Sequence, residues 1–158
     1  MTPEPDAMSL SQRLEAAMRD AMRARDEQRT QTLRMAMAAA HNEKIAKRRD
    51  LTDDEVVDVL TKQVKQRRES IAMYRDAGRE DRAESEEAEA AILAEFMPQQ
   101  LSEAEVEELA RAAISETGAA SPADLGRVMG SLSPRTRGRA DGRLVSEVVR
   151  RLLAEAGG

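Results

Sequence analysis

The chain has 158 residues, of which 41% are hydrophobic and 35% charged, and its formal net charge is −5 at neutral pH. It contains no cysteine, which excludes disulfides, thiolate catalysis and Cys/His nucleophile pairs, and it has a single histidine, His41. Because Tyr74 and Phe96 are the aromatic residues, the core must be aliphatic, a composition typical of packed helices rather than a β-sandwich. The predicted fold class is therefore all-α and multihelical, in two α-helical subdomains.

Residues 1–8 are predicted to be a disordered tail, because Pro3 and Pro5 interrupt any helix. This segment carries acidic residues where a signal peptide has basic ones. The longest apolar run, residues 35–40, is too short to cross a membrane. We therefore expect a cytoplasmic protein that has no membrane partner.

Four helices are predicted between residues 9 and 96, where they form an N-terminal helical domain. Ser9 with Gln12 and Thr52 with Glu55 have the spacing of capping boxes, which predicts the starts of the first and third helices. Apolar residues at helical spacing predict the buried faces of the first three helices: Leu10, Leu14, Ala17, Met18, Ala21 and Met22; Leu33, Met37, Ala40 and Ile45; and Val56, Leu60, Val64, Ile71 and Tyr74.

Turn residues predict where these helices end. Asp26 is expected to end the first helix, and Gly78 to follow the third in a left-handed conformation. The fourth helix is strongly acidic and is closed by Pro98. Its glutamates lack the Glu-x-x-His pairs of a di-metal bundle site, so no metal is expected and a solvated acidic face is the simpler interpretation.

A C-terminal tail domain with three helices is predicted over residues 97–158. Ser102 with Glu105 has capping-box spacing at the start of its first helix, and Gly118 marks the end. Three further signals mark the other helix ends: Ser121-Pro122 starts the second helix, Pro134 ends or redirects it, and Asp141 caps the third.

Residues 126–143 hold two pairs of glycines, each pair spaced four residues apart, and five arginines against a single acid. Spacing and charge leave two interpretations open. The glycines permit close helix packing and turns while the arginines solubilise the surface, or the segment binds an anionic partner such as RNA. Under the second interpretation, the basic clusters at residues 44–49 and 62–68 would extend the RNA surface.

Two blocks of the tail, Gly126-Arg-Val-Met-Gly-Ser-Leu132 and Gly138-Arg-Ala-Asp-Gly-Arg-Leu-Val145, resemble the tail of the GatB/YqeY family. YqeY proteins and the B subunit of tRNA-dependent amidotransferases share this tail. Phe96-Met-Pro-Gln-Gln-Leu101 resembles its start, and residues 9–95 look like the helical region that precedes it in YqeY proteins. In the B subunit the tail engages tRNA, so the resemblance implies these nucleic-acid-binding residues: Gly126, Arg127, Gly130, Gly138, Arg139, Gly142 and Arg143. Arg135 and Arg137, between the two blocks, are added to the predicted site for their charge.

The resemblance implies a tRNA-binding accessory module that is not itself catalytic. No residues match an ATP site, a glutaminase or an ammonia channel, and no cofactor or metal is expected. Two alternatives stay open. The chain could assist a carbon–nitrogen ligase that uses glutamine as amide donor, in the transamidation of Asp-tRNA or Glu-tRNA, by joining an amidotransferase complex. It could also be a protein–protein adaptor that docks through the acidic helix at residues 79–95.

Overall fold

The computed structural model describes residues 7–157 of the chain. Within this range the chain forms seven α-helices, a short 3₁₀ helix at Pro122–Asp124 and no strand, which confirms the predicted all-α, multihelical class. Two compact units divide between Met97 and Pro98. The predicted tail at residues 1–8 lies outside the described residues apart from Ala7 and Met8. The helices are α1 (Leu10–Arg23), α2 (Glu27–Lys47), α3 (Asp53–Asp76), α4 (Glu80–Ala94), α5 (Glu103–Thr117), the 3₁₀ helix Pro122–Asp124, α6 (Leu125–Thr136) and α7 (Gly142–Ala156).

The first unit packs α1 to α4 around one aliphatic cluster. Each helix contributes one fully buried leucine to it, namely Leu14, Leu33, Leu60 and Leu93. Burying a leucine side chain contributes about 1.5–3 kcal/mol. The half-buried ring of Phe96 packs against the same cluster, so the unit is held by aliphatic packing with one ring at its edge.

A buried cation links α3 to α4 in this unit. Arg67 of α3 is 5% exposed, and its Nη1 donates to the carbonyl oxygen and the side-chain Oε1 of Gln63 at 3.2 and 3.1 Å. Its Nε lies 3.4 Å from a carboxylate oxygen of Glu89 on α4. Since a buried charge is stable only when it is paired, Glu89 balances Arg67 across the two helices.

All three predicted capping boxes are present. The side chains of Ser9, Thr52 and Ser102 each accept a hydrogen bond from the backbone N–H three residues later, and the side chain at that later position accepts one from the backbone N–H of the capping residue. Gly78 and Gly118 have positive φ at helix ends, as predicted. These local signals fix the helix ends because they satisfy backbone groups that have no partner within the helix.

Two residues of the predicted buried faces are exposed instead. Ile45 of α2 is 61% exposed, because nine residues of helix place it on the side opposite the buried Ala36. Met22 of α1 is 48% exposed, since it lies about 80° around the helix from the buried Leu14. The prediction that Asp26 ends α1 is also wrong: α1 ends earlier, and the Asp26 side chain caps α2.

The second unit, the tail unit, packs α5, α6 and α7 around a second aliphatic cluster. Its largest contribution comes from α7, whose buried face consists of Val145, Val148, Val149, Leu152 and Leu153. Asp141 caps α7, as predicted. The second tail helix begins as the 3₁₀ turn, and α6 continues two residues past Pro134 before it ends. Because proline has no N–H to donate to the carbonyl oxygen four residues earlier, α6 lacks one hydrogen bond at Pro134.

None of the helices described in residues 7–157 has the length and the apolar composition needed to cross a membrane.

The capping residue Glu55 makes the free energy of unfolding of the first unit depend on pH. Its carboxylate accepts hydrogen bonds from Arg49, Lys47 and the Thr52 N–H, which hold the pKa of Glu55 well below its usual value of 4.5. A group whose pKa is lowered by folding stabilises the protein above its unfolded pKa, and this stabilisation is lost as the pH falls towards the folded pKa. We expect Glu55→Gln to lower the free energy of unfolding at pH 7 and to have progressively less effect below about pH 4.5.

Urea denaturation at several pH values checks this prediction. Glu69→Gln, at an exposed position of α3, is the matched control. A constant difference between Glu55→Gln and wild type from pH 7 to pH 3 would contradict the prediction.

Candidate nucleic-acid interface

The start of the tail unit is hydrogen-bonded to the turn that precedes α7. The Leu101 N–H donates to the Arg139 carbonyl oxygen at 2.7 Å. The Gln100 side-chain amide donates to the carbonyl oxygens of Gly138 and Pro98 at 2.8 and 3.0 Å. We call this set of contacts the clasp. It brings the Phe-Met-Pro-Gln-Gln-Leu block and the Gly-Arg-Ala-Asp-Gly block next to each other, although about forty residues separate them.

The side chain of Arg139 belongs to the clasp as well. Its Nε donates to the Gln99 carbonyl oxygen and its Nη1 to the Arg135 carbonyl oxygen, each at 3.2 Å. Arg139 is accordingly half-buried. Because these hydrogen bonds go to backbone carbonyls of its own chain, the direct effect of Arg139 is to hold the shape of the turn. The sequence reasoning named Arg139 for its charge and missed Gln100 altogether.

The fold itself requires one of the four tail glycines. Gly138 is buried and has a φ of +70°, a left-handed conformation that side chains with a Cβ rarely adopt. Its carbonyl oxygen is the acceptor for Gln100. Gly138 therefore forms the turn, and it presents no exposed surface of its own.

Gly126, Gly130 and Gly142 differ from Gly138. Each is exposed and helical, and a Cβ built on any of them would meet no atom within 4 Å. The interpretation that Gly126 and Gly130 allow close packing of helices therefore fails for the described part of the chain. Since glycine within a helix costs about 0.5–1 kcal/mol relative to alanine, the described contacts leave this pair unexplained.

Two of the tail arginines form ion pairs at the surface. Arg127 lies 3.1 Å from Asp124, whose pKa is lowered by hydrogen bonds from the Ala120 and Ser121 N–H groups and by the Arg127 charge. Arg135 lies 2.8 Å from Glu116 on α5, and both side chains are substantially exposed. Surface ion pairs of this kind typically contribute only about 0–1 kcal/mol. Both guanidinium groups could therefore exchange a carboxylate for another anion at little cost.

Arg137 and Arg143 are also exposed, beside the same turn. Arg143 has no carboxylate within ion-pair distance among residues 7–157. Its backbone N–H is occupied, because it donates to the Asp141 carboxylate at 2.8 Å. Since Asp141 already caps α7, an anion at this turn would be held by arginine side chains rather than by the helix N-terminus.

His41 is exposed on α2, and no group of three His, Asp or Glu residues in the described range is arranged to hold a metal ion. The site that the sequence predicted thus separates into two parts. Gly138 and Arg139 are structural members of the clasp. The remaining predicted residues lie on the exposed surface around α6 and the turn: Gly126, Arg127, Gly130, Arg135, Arg137, Gly142 and Arg143.

The structural role of Arg139 is testable by comparison with Arg143. Both substitutions to glutamine remove one charge, but only Arg139→Gln removes hydrogen bonds from a guanidinium to backbone carbonyls. We expect Arg139→Gln to lower the free energy of unfolding by about 1–2 kcal/mol and Arg143→Gln to change it by less than about 0.5 kcal/mol. Urea denaturation of the two variants measures both values. Equal effects of the two substitutions would show that the clasp does not depend on Arg139.

Comparison with known proteins agrees with the two tail blocks. The family model described as Yqey-like protein matches residues 11–153. The protein named Altered inheritance of mitochondria protein 41, mitochondrial, from Pyrenophora tritici-repentis (strain Pt-1C-BFP), is 30% identical over 146 residues. The match covers 89% of this chain and 79% of the fungal protein. Both the helical bundle and the tail unit fall within the matched region, so the chain belongs to the YqeY-like family.

Proposed function

We propose that the tail unit binds the backbone of tRNA and that the chain is an accessory module without catalytic activity of its own. The observation that carries the proposal is the exposed glycine pair of α6. Gly126 and Gly130 lie four residues apart on one helix face, and a Cβ at either position would meet no atom within 4 Å. A helix face without side chains lets a bulky partner approach the backbone closely. The resulting contacts would offset the helix stability that is lost by having glycine in place of alanine.

The charge around this face favours an anionic partner. Residues 126–143 carry a net charge of +4 within a chain whose total is −5. Because the rest of the chain is acidic, long-range repulsion would keep its other faces away from a polyanion and turn the basic face towards it. A phosphate contact requires only a cationic side chain that can reach the phosphate. Under the proposal, these cations are the exposed arginines Arg127, Arg135, Arg137 and Arg143.

Recognition in this proposal depends on shape and phosphate contacts rather than on base identity. The aromatic residues of the whole chain are Tyr74 and Phe96, and neither lies in the tail unit, so stacking platforms for single-stranded bases are lacking there. In the proposed interface, Gly138 and Arg139 keep the turn in shape, and the exposed arginines contact phosphates. Arginine presents a fixed fork of donors that suits phosphate geometry.

The two alternatives for the chain differ from this proposal in their partners. A transamidation component would co-purify with amidotransferase subunits, whereas an accessory tRNA-binding module would bind free tRNA without them. An adaptor would bind a protein through α4. We place the chain in the cytoplasm as part of the proposal. The name of the fungal relative assigns that protein to mitochondria and mentions no RNA.

The salt dependence of tRNA binding tests the proposal directly. Each phosphate contact releases condensed counterions, so the logarithm of affinity falls with the logarithm of salt concentration by roughly 0.7–0.9 per contact. We expect the triple variant Arg127→Gln, Arg135→Gln, Arg143→Gln to bind more weakly and to flatten this slope by about two to three units.

A matched triple variant controls for the loss of charge. Arg111→Gln, Arg150→Gln, Arg151→Gln removes the same number of exposed arginines from the same unit, outside residues 126–143. Filter binding with unmodified tRNA at several salt concentrations, together with circular dichroism of each variant, gives the comparison. If both triple variants and wild type have the same slope of log affinity against log salt concentration, the tail does not contact RNA phosphates, and the protein–protein adaptor is favoured.

The glycine pair predicts opposite changes in stability and in binding. Because a Cβ at either position meets nothing, Gly126→Ala with Gly130→Ala should raise the free energy of unfolding by about 0.4–1 kcal/mol per site. The same double variant should bind tRNA more weakly without a change in salt slope, since the added methyl groups obstruct close approach and leave the charge unaltered.

Ser115→Ala, at an exposed helical position of α5, is the control for a gain in helix propensity. Urea denaturation and tRNA titration of both variants are needed. A stabilised double variant with unchanged tRNA affinity would show that this face of α6 does not contact RNA.

A further inference from the structure

An acid of α5 pairs with one of the cations of the proposed interface. Arg135 Nη2 donates to Glu116 Oε2 at 2.8 Å, so the ion pair joins α6 to the end of α5. The side chains of Arg135 and Glu116 are 40% and 52% exposed, and the contact therefore lies at the surface. A carboxylate and a phosphate bind the same guanidinium donors. Glu116 thus holds a donor that a phosphate at Arg135 would need.

The helix that carries Glu116 does not favour an acid at this position. Glu116 lies in the last turn of α5, which ends at Thr117 and has no basic residue in that turn. The C-terminal end of a helix carries a partial negative charge, so a carboxylate there is repelled. Because the ion pair with Arg135 is exposed, it also stabilises the fold only weakly. The fold therefore gives little reason for an acid at position 116.

The other acid that pairs with a tail arginine differs from Glu116. Asp124 Oδ1 accepts from Arg127 at 3.1 Å, and its Oδ2 accepts from the Ala120 and Ser121 N–H groups at 2.9 and 3.2 Å. Asp124 is therefore held by the backbone and shapes the start of the second tail helix. Glu116 accepts no backbone hydrogen bond in the described part of the chain. Its carboxylate can move away from Arg135 without breaking a turn.

We propose that Glu116 is an intramolecular competitor that occupies Arg135 until an RNA phosphate displaces it. The inference rests on the proposed binding of tRNA by the tail unit, and it concerns the regulation of that site. On binding, the ion pair of Arg135 with Glu116 is replaced by an ion pair with phosphate, and the carboxylate returns to water. The acid thereby lowers the affinity of the tail for RNA and can recapture Arg135 when a phosphate leaves.

The strength of the ion pair sets the size of this effect. An exposed ion pair is weak, so its removal should raise affinity by about two- to fivefold rather than by orders of magnitude. The competition is local to Arg135. Arg143, which has no carboxylate within ion-pair distance among residues 7–157, should bind phosphate without it.

Glu116→Gln tests the inference, because it keeps the size of the side chain and removes its charge. The matched control is Glu108→Gln, at an exposed position of the same helix that has no cation partner in the described range. Both variants change the net charge by the same amount, so long-range repulsion of RNA falls equally. We expect Glu116→Gln to bind unmodified tRNA about two- to fivefold more tightly than Glu108→Gln in filter binding at low salt.

Binding kinetics separate local competition from a general change in charge. A change in long-range attraction acts mainly on the association rate constant, whereas a change in a direct contact acts mainly on the dissociation rate constant. In stopped-flow measurements with labelled tRNA, both variants should associate slightly faster than wild type. Only Glu116→Gln should also dissociate more slowly, because no carboxylate is then present to recapture Arg135.

A double-mutant cycle assigns the effect to the ion pair. In an Arg135→Gln background the competitor has nothing to occupy, so adding Glu116→Gln should change tRNA affinity no more than adding Glu108→Gln does. Circular dichroism of every variant should match wild type, since an exposed ion pair contributes little to the fold. A loss of helix in Glu116→Gln would assign the acid to the fold and overturn the inference.

The same set of variants distinguishes failure of the inference from failure of the proposed function. If Arg135→Gln weakens tRNA binding but Glu116→Gln and Glu108→Gln have equal affinities and dissociation rates, the competitor is excluded and the proposed function stands. A gain from Glu116→Gln that persists in the Arg135→Gln background would also overturn the inference. If neither Arg135→Gln nor the triple arginine variant alters tRNA binding, the proposed function fails, and the inference fails with it.

Discussion

The hydrogen bond from the Leu101 N–H to the Arg139 carbonyl oxygen is the constraint on which the tail unit depends. It joins the entry of the unit to the turn before its last helix, and Gln100 and the Arg139 guanidinium reinforce it from both sides. The same turn passes through position 138 with a positive φ and without exposure, a conformation that suits glycine. Positions of the exposed arginines around the turn follow from this backbone arrangement.

The glycines of the tail show why a shared sequence pattern does not imply a shared cause. Gly138 is fixed by backbone conformation, whereas Gly126 and Gly130 occupy ordinary helical positions with open space around them. A residue that the fold does not require, and that lowers helix stability, points to a constraint from outside the chain. The same contrast separates Arg139, which is bonded to backbone carbonyls, from exposed Arg143.

Local signals in the sequence were sufficient for the fold class and for most helix ends. Capping boxes such as Thr52 with Glu55 act within one turn, so no distant contact overrides them. Burial was less predictable. Ile45 is apolar and lies in a long helix, but which face of α2 meets the bundle depends on packing against other helices. The clasp was not predictable either, because Gln100 and Gly138 are distant in sequence and nothing local links them.

Each unit is built from one continuous stretch of chain, and this has a consequence for synthesis. Among residues 7–157, the core of the first unit uses residues from Leu10 to Met97 and none after them. Once Met97 has emerged from the ribosome, every described partner of that core is available, before α5 has left the exit tunnel. The bundle can complete its packing vectorially, without a kinetic delay while it waits for distant segments. In the described part of the chain, the aliphatic cluster of the tail unit likewise contains no residue from before Pro98, so its assembly is a separate, later event on the growing chain.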